Sequence, residues 1–266
     1  MTSTRTECDG AGLVEHAGAR TTLGLWCALF VLFATSVAAT VYYCATMSGG
    51  MDMPGGWSMS MMWMPMAGQT WAGAAVMFML MWLAMMVAMM LPSALPMIFG
   101  YHAMQSRDGG KMVAARTLWM TGGYFFVWSA AGAVIFVAGI FYAMAVMRWT
   151  ALSLAMPRIF GATMVAAGLL QFMPWTMAGL RCCRGSTKCD GPAPAWRTGI
   201  RRGISCVACC SGPTLVLLAL GMMNPAVILL VTAVIAMEKL LPRPELIVRI
   251  LGIVAVAAGV VMTAGG

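Results

Sequence analysis

The sequence predicts an all-α fold, a polytopic membrane helix bundle of about seven transmembrane helices, and three observations lead to it. The chain is 61% hydrophobic and 9% charged over 266 residues, a composition that leaves no room for a separate soluble domain. Residues 71–100, WAGAAVMFMLMWLAMMVAMMLPSALPMIFG, carry no charge, where ~20 apolar residues already cross a bilayer. The lysines and arginines are spread unevenly between the apolar segments, as they are when cytoplasmic loops collect them. The net charge of +8 has its ordinary membrane-protein cause there, so nucleic acid is excluded as a partner and the lipid bilayer is the expected one.

Residues 1–22 are polar, hold Arg5, Glu7, Asp9, Glu15 and Arg20, and show no sustained apolar period; they read as a mobile cytoplasmic tail. Residues 23–266 read as one transmembrane domain. Span one, 23–47, is longer than the ~7–15-residue core of a signal peptide and reads as a retained anchor. A methionine-rich outer loop at 48–70 leads into span two, and a basic loop at 101–116 into span three at 117–147. Span four follows at 155–177, with Gln171 as a donor to a neighbouring helix. A Cys/Arg-rich inner segment at 181–203 separates it from span five, 205–222. Asn224-Pro225 then turns so tightly that span six, 225–241, is antiparallel to span five. Span seven occupies 246–263. With the N-terminus cytoplasmic and the C-terminus extracytoplasmic, the only basic residues left outside are Arg148 and Arg158. This distribution reads as that of a multi-pass membrane protein.

The chemistry lies in sulfur. Eight methionines fall within 47–66, among glycines and prolines. Thioethers are soft ligands that favour Cu(I) over hard cations, so Met51, Met53, Met59, Met61, Met62 and Met64 are candidate copper ligands. The bland alternative is an interfacial loop resting on headgroups. In span two, Met77, Met81, Met85 and Met89 recur every four residues and stack on one helix face. Met85 and Met89 are the candidates there, against the alternative that methionine merely fills an irregular interface. Pro92 and Pro96 each remove a backbone donor and predict a kink buried in protein.

On the other side of the membrane, Cys206, Cys209 and Cys210 stand at i, i+3 and i+4, so one helical turn presents three thiols. Cys182, Cys183 and Cys189 precede them. Arg181, Arg184, Lys188, Arg201 and Arg202 are expected to favour the thiolate, the form that binds metal. In a reducing cytoplasm a structural disulfide is not expected. The spacing differs from standard zinc and iron–sulfur modules, and the absence of histidine from the methionine loop argues against zinc, so copper stands ahead of it. His102, two residues beyond the methionine helix, is either a further ligand or an interfacial residue. Glu238-Lys239 at the end of span six reads as an interfacial anchor, although a carboxylate there can also mark an ion path.

Four stretches, in order, carry a resemblance. Met89-Met90-Leu91-Pro92-Ser93-Ala94-Leu95-Pro96-Met97, Gly203-Ile204-Ser205-Cys206-Val207-Ala208-Cys209-Cys210, Gly221-Met222-Met223-Asn224 and Glu238-Lys239-Leu240 resemble the signatures of the bacterial predicted metal-binding integral membrane protein family, domain of unknown function 2182. The resemblance covers roughly residues 75–260 and implies metal binding. Where the family has a His-Gly ahead of its C-x-x-C-C, this chain has Arg202-Gly203.

Soft ligands therefore occur in the order a path would need: outer thioethers, a thioether-lined helix, inner thiols. The expected function is copper(I) handling (uptake, transfer or delivery), with a membrane metalloenzyme or copper chaperone as partner. The alternative is an accessory or structural subunit of a membrane metalloenzyme or respiratory complex. Hydrolase triads, phosphate-binding glycine loops and paired catalytic carboxylates are absent, so no reaction is assigned, and thiol redox activity of the cysteines is a minor third possibility.

Overall fold

The computed structural model describes residues 5–46, 49–65, 68–107, 112–183, 194–241 and 244–265. These form eight helices: α1 (Arg5–Thr46), α2 (Trp71–Arg107), α3 (Val113–Arg148), α4 (Thr150–Gln171), α5 (Pro174–Cys183), α6 (Ala195–Leu220), α7 (Pro225–Leu240) and α8 (Pro244–Gly265). Six of them, all but α5 and α7, are long and apolar enough to cross a membrane. The helical membrane class is as the sequence predicts.

The expected sixth span is α7. Its 16 residues rise about 24 Å, short of the ~30 Å hydrocarbon core. Asn224 starts α7 by accepting from the Ala226 amide at 3.0 Å, an N-cap, with Pro225 at the first helical position, where its missing N–H costs nothing. Two further differences concern helix ends. α1 extends back to Arg5, into the segment expected as a tail. The fourth span breaks after Gln171, where the Phe172 and Met173 amides turn back onto the Leu169 and Leu170 carbonyls, and a separate short α5 follows.

α2 is the centre of the bundle: 56% of its apolar window is buried, against 17% for α1 and for α8. It runs as one helix through Pro92 and Pro96. Met81, Met85, Met86, Met89, Met90 and Met97 are all buried, while Met77, at the start of the stripe, is exposed. Trp82, fully buried, donates its indole N–H to the Trp128 carbonyl on α3 at 2.9 Å. α4 and α8 close on glycines spaced seven apart in each helix. A Cβ on Gly168 would stand 2.6 Å from the Gly252 carbonyl oxygen, and such small-residue seams let membrane helices pack backbone to backbone.

The methionine-rich loop is not irregular. β1 (Gly50–Met53) and β2 (Trp57–Ser60) pair antiparallel, with Met51 opposite Met59 and Met53 opposite Trp57. Side chains alternate between faces of a strand, so Met51, Met53, Trp57 and Met59 share one face and Gly50, Asp52, Ser58 and Ser60 the other. The turn closes through the Gly56 amide to the Met53 carbonyl at 3.3 Å, with Gly55 at φ 110°. A proline followed by a glycine at positive φ fits a type II turn. The hairpin is fastened to the start of α4: the Trp57 indole donates to the Ser153 carbonyl at 3.0 Å, and the Ser153 hydroxyl donates to the Pro54 carbonyl at 2.8 Å.

Candidate metal centre

The thiol cluster forms where α6 meets α5, α7, α3 and α2. Cys206, Cys209 and Cys210 are fully or almost fully buried on α6, and the close spacing of their sulfurs follows from the i, i+3, i+4 pattern. Cys209 and Cys210 lie 3.6 Å apart and Cys206 and Cys210 3.9 Å apart. Half-buried Cys183, the last residue of α5, adds a fourth sulfur 3.8 Å from Cys209. The sulfurs of Cys183, Cys206 and Cys209 all lie within 4.8 Å of one another.

Glycine brings that fourth sulfur in. A Cβ on Gly179 would meet the Ser205 carbonyl oxygen at 2.5 Å and the Cys209 amide nitrogen at 3.3 Å. Only a residue without one lets α5 lie this close to α6. Gly179→Val is therefore expected to push α5 outward. The loss of cross-linking between Cys183 and Cys209 by a short bifunctional thiol reagent would show it, and undiminished cross-linking would show that α5 does not depend on this glycine.

Two further groups meet the cluster, and the residue-by-residue reading of the sequence identifies neither as a site residue. Tyr124 of α3 places its hydroxyl 2.9 Å from the Cys206 sulfur. Lys239 of α7, buried, directs its ammonium at the same sulfur at 3.0 Å, at the Ser93 hydroxyl at 3.4 Å and at the Met90 sulfur at 3.9 Å. An ionisable residue inside a membrane bundle marks a functional site by default, and that is the signal in the sequence for Lys239. Its neighbour Glu238, also buried, accepts from the Gln171 side-chain amide at 2.8 Å, which is the helix-to-helix donation expected of Gln171. Nothing in the local sequence marks Tyr124.

The donor set fits a soft ion. Thiolates at about 2.3 Å from a common metal, the distance known for zinc–thiolate bonds, would stand about 3.8–4.0 Å from one another, close to the spacing here. The flanking arginines lead one to expect thiolates throughout, but Cys183, at the end of α5 outside the long spans, goes the other way. Its thiol is pushed up to about 12, first by its hydrogen bond with Cys206, against a lowering effect of Cys209, and further by burial. A metal taken there displaces a proton, so binding at this sulfur strengthens as pH rises.

The other expected ligands fall as follows. Cys182 is disulfide-bonded, contrary to the expectation of free thiols, and so is withdrawn from the thiol set; Cys189 lies outside the described residues. Buried Arg202 donates to the Cys182 carbonyl at 3.2 Å. His102 is buried with its Nε2 unpartnered among the described residues, and it does not join the grouped thiols. Met85 and Met89 are buried in α2, but Met90 is the methionine that reaches the Lys239–Cys206 contact. At the hairpin, Met59 is buried, Met51 exposed, and Met53, Met62 and Met64 intermediate; the Met61 side chain lies outside the described residues.

The hairpin and the thiols occupy different levels of the bundle. Trp57, Met59, Met156 and Met222 line a cavity of about 590 Å³ together with Leu220 at the C-terminal end of α6. From Leu220, Cys206 lies about 21 Å back along the helix axis.

Taken together, this is a multi-pass helical protein of the membrane class with a buried cluster of soft ligands able to hold a metal. A family model described as PpoB2, copper chaperone, matches residues 79–262, and the chain belongs to this copper chaperone family. The match holds the whole thiol cluster, Met90, Tyr124 and Lys239, whereas the methionine hairpin precedes it. Neither a curated protein nor a solved structure matches the chain.

Proposed function

We propose that this protein binds Cu(I) within the membrane and passes it to a copper-requiring partner, without catalysing a reaction itself. The observation that carries the reading is the convergence of the Cys183, Cys206, Cys209 and Cys210 sulfurs inside the bundle. Buried thiols are soft donors, and with no carboxylate or imidazole among them the set discriminates against divalent oxygen-seeking ions. Copper is the cargo here, and membership of a copper chaperone family agrees with that.

The methionines supply the route in this reading. Met51, Met53 and Met59 on one hairpin face collect Cu(I) at the outer side of a bacterial inner membrane. Buried Met81, Met85, Met89 and Met90 lead down α2 to the level of Cys206. α6 and α7 form the antiparallel pair between the hairpin end and the thiols, and the basic residues near Cys183 face the cytoplasm. The recipient is a membrane metalloenzyme or a second copper carrier.

Metal content tests the reading. Protein purified in detergent after reduction and exposure to equimolar Cu(I), Zn(II) and Ni(II) should retain copper at about one ion per chain. Retention of zinc in its place, or of no metal, would contradict it.

A further inference from the structure

We propose that the Lys239 ammonium is the resident counter-cation of the metal-free thiol site and that Cu(I) displaces it on loading, so that Lys239 sets how readily copper is given up. The inference rests on the copper-binding reading above. It starts from an arrangement with no role in ligation: an ammonium, which offers donors and no lone pair, stands 3.0 Å from the Cys206 sulfur. It therefore occupies ground beside the sulfur that a metal would use. Tyr124 on the other contact to Cys206, at 2.9 Å, is neutral and raises no such conflict.

Lysine suits a displaceable ion. Its charge is compact and sits on a flexible four-carbon stem, whereas an arginine fork holds its partners in a fixed plane. The retreat is already visible, because the same ammonium lies 3.4 Å from the Ser93 hydroxyl and 3.9 Å from the Met90 sulfur. Ser93 is prepared to accept, since its own hydrogen is donated to the Met90 carbonyl at 2.9 Å. Empty, the site is held together by the ammonium, which offsets the cost of burying anionic sulfur. Loaded, copper has taken a sulfur that the ammonium otherwise holds, and in a low-dielectric interior the ammonium's competition for that anionic sulfur weakens the hold on copper. A transfer protein needs that weakness, whereas a storage site does not.

The test is the rate at which the Cu(I)-loaded, full-length protein in detergent releases copper to excess bicinchoninate, a chromophoric Cu(I) chelator. Lys239→Gln keeps the length and removes the charge, and it should release copper roughly tenfold more slowly at unchanged stoichiometry. Lys239→Arg should stay within a few-fold of the native rate. Equal or faster release from a normally loaded Lys239→Gln overturns the proposal. If Lys239→Gln does not fold, Ser93→Ala decides: it removes the retreat, so release should be several-fold faster, and an unchanged rate overturns the proposal. Failure of the native protein to load any copper would instead overturn the copper-binding reading itself.

Discussion

Replacing Cys206, Cys209 and Cys210 together by serine is expected to abolish copper retention by the purified protein while leaving it inserted and helical. Serine keeps the size of cysteine to within one atom but presents a hard hydroxyl that stays protonated at neutral pH, so the soft donors vanish without a large cavity. The interactions a thiol makes in the native fold are weak ones, and the α6 backbone does not depend on them. Single replacements should be graded. Cys206→Ser should cost most, because that sulfur also meets Tyr124 and Lys239 and its removal leaves a buried ammonium without its sulfur partner. Copper content and circular dichroism on the same preparation separate the two outcomes. Full copper retention in the folded triple variant would reduce the three cysteines to packing residues.

A second large effect is expected at the other end of the molecule. Changing Met51, Met53 and Met59 to leucine keeps the apolar face of the hairpin, including the cross-strand pair of positions 51 and 59, and removes only sulfur. A hairpin that merely rests on lipid should tolerate the exchange, and packing inside the bundle should too, since leucine and methionine interchange at small cost. Copper acquired by cells at limiting supply should nevertheless fall severalfold at equal protein abundance. Thioethers carry no titrating proton, whereas Cys183 must lose one, so any copper held by the hairpin should survive mild acid that strips the thiols. Unchanged acquisition would detach the hairpin from the copper path and leave the thiol cluster to act alone.

Much of this architecture is legible in residues alone, and the parts that are not have physical reasons. Charge-free runs longer than a bilayer mark helices α2 and α3, and Asn224-Pro225 marks the tight reversal into α7. The one-turn grouping of Cys206, Cys209 and Cys210 follows from helical period. The hairpin is harder to see because methionine is a weak strand marker, although the alternation Met51-Asp52-Met53 and Trp57-Ser58-Met59-Ser60 around Pro54-Gly55 is the strand–turn–strand pattern. Seven apolar stretches read as seven spans because hydropathy does not weigh length: α7, bounded by Asn224 and Leu241, is uncharged until Glu238 but only 16 residues long. The convergence of Tyr124, Lys239, Met90 and Cys183 on one thiol cluster is tertiary. It depends on close approaches such as that of Gly179 to Ser205, and no local pattern records which helix a glycine will face.

The most direct measurement of the central claim is X-ray absorption at the copper edge on the Cu(I)-loaded protein. The account predicts a first shell made of sulfur alone, at about 2.3 Å, and loss of that shell in the Cys206, Cys209, Cys210 triple-serine variant. A shell dominated by nitrogen or oxygen, or a sulfur shell that persists unchanged in the triple variant, would contradict it.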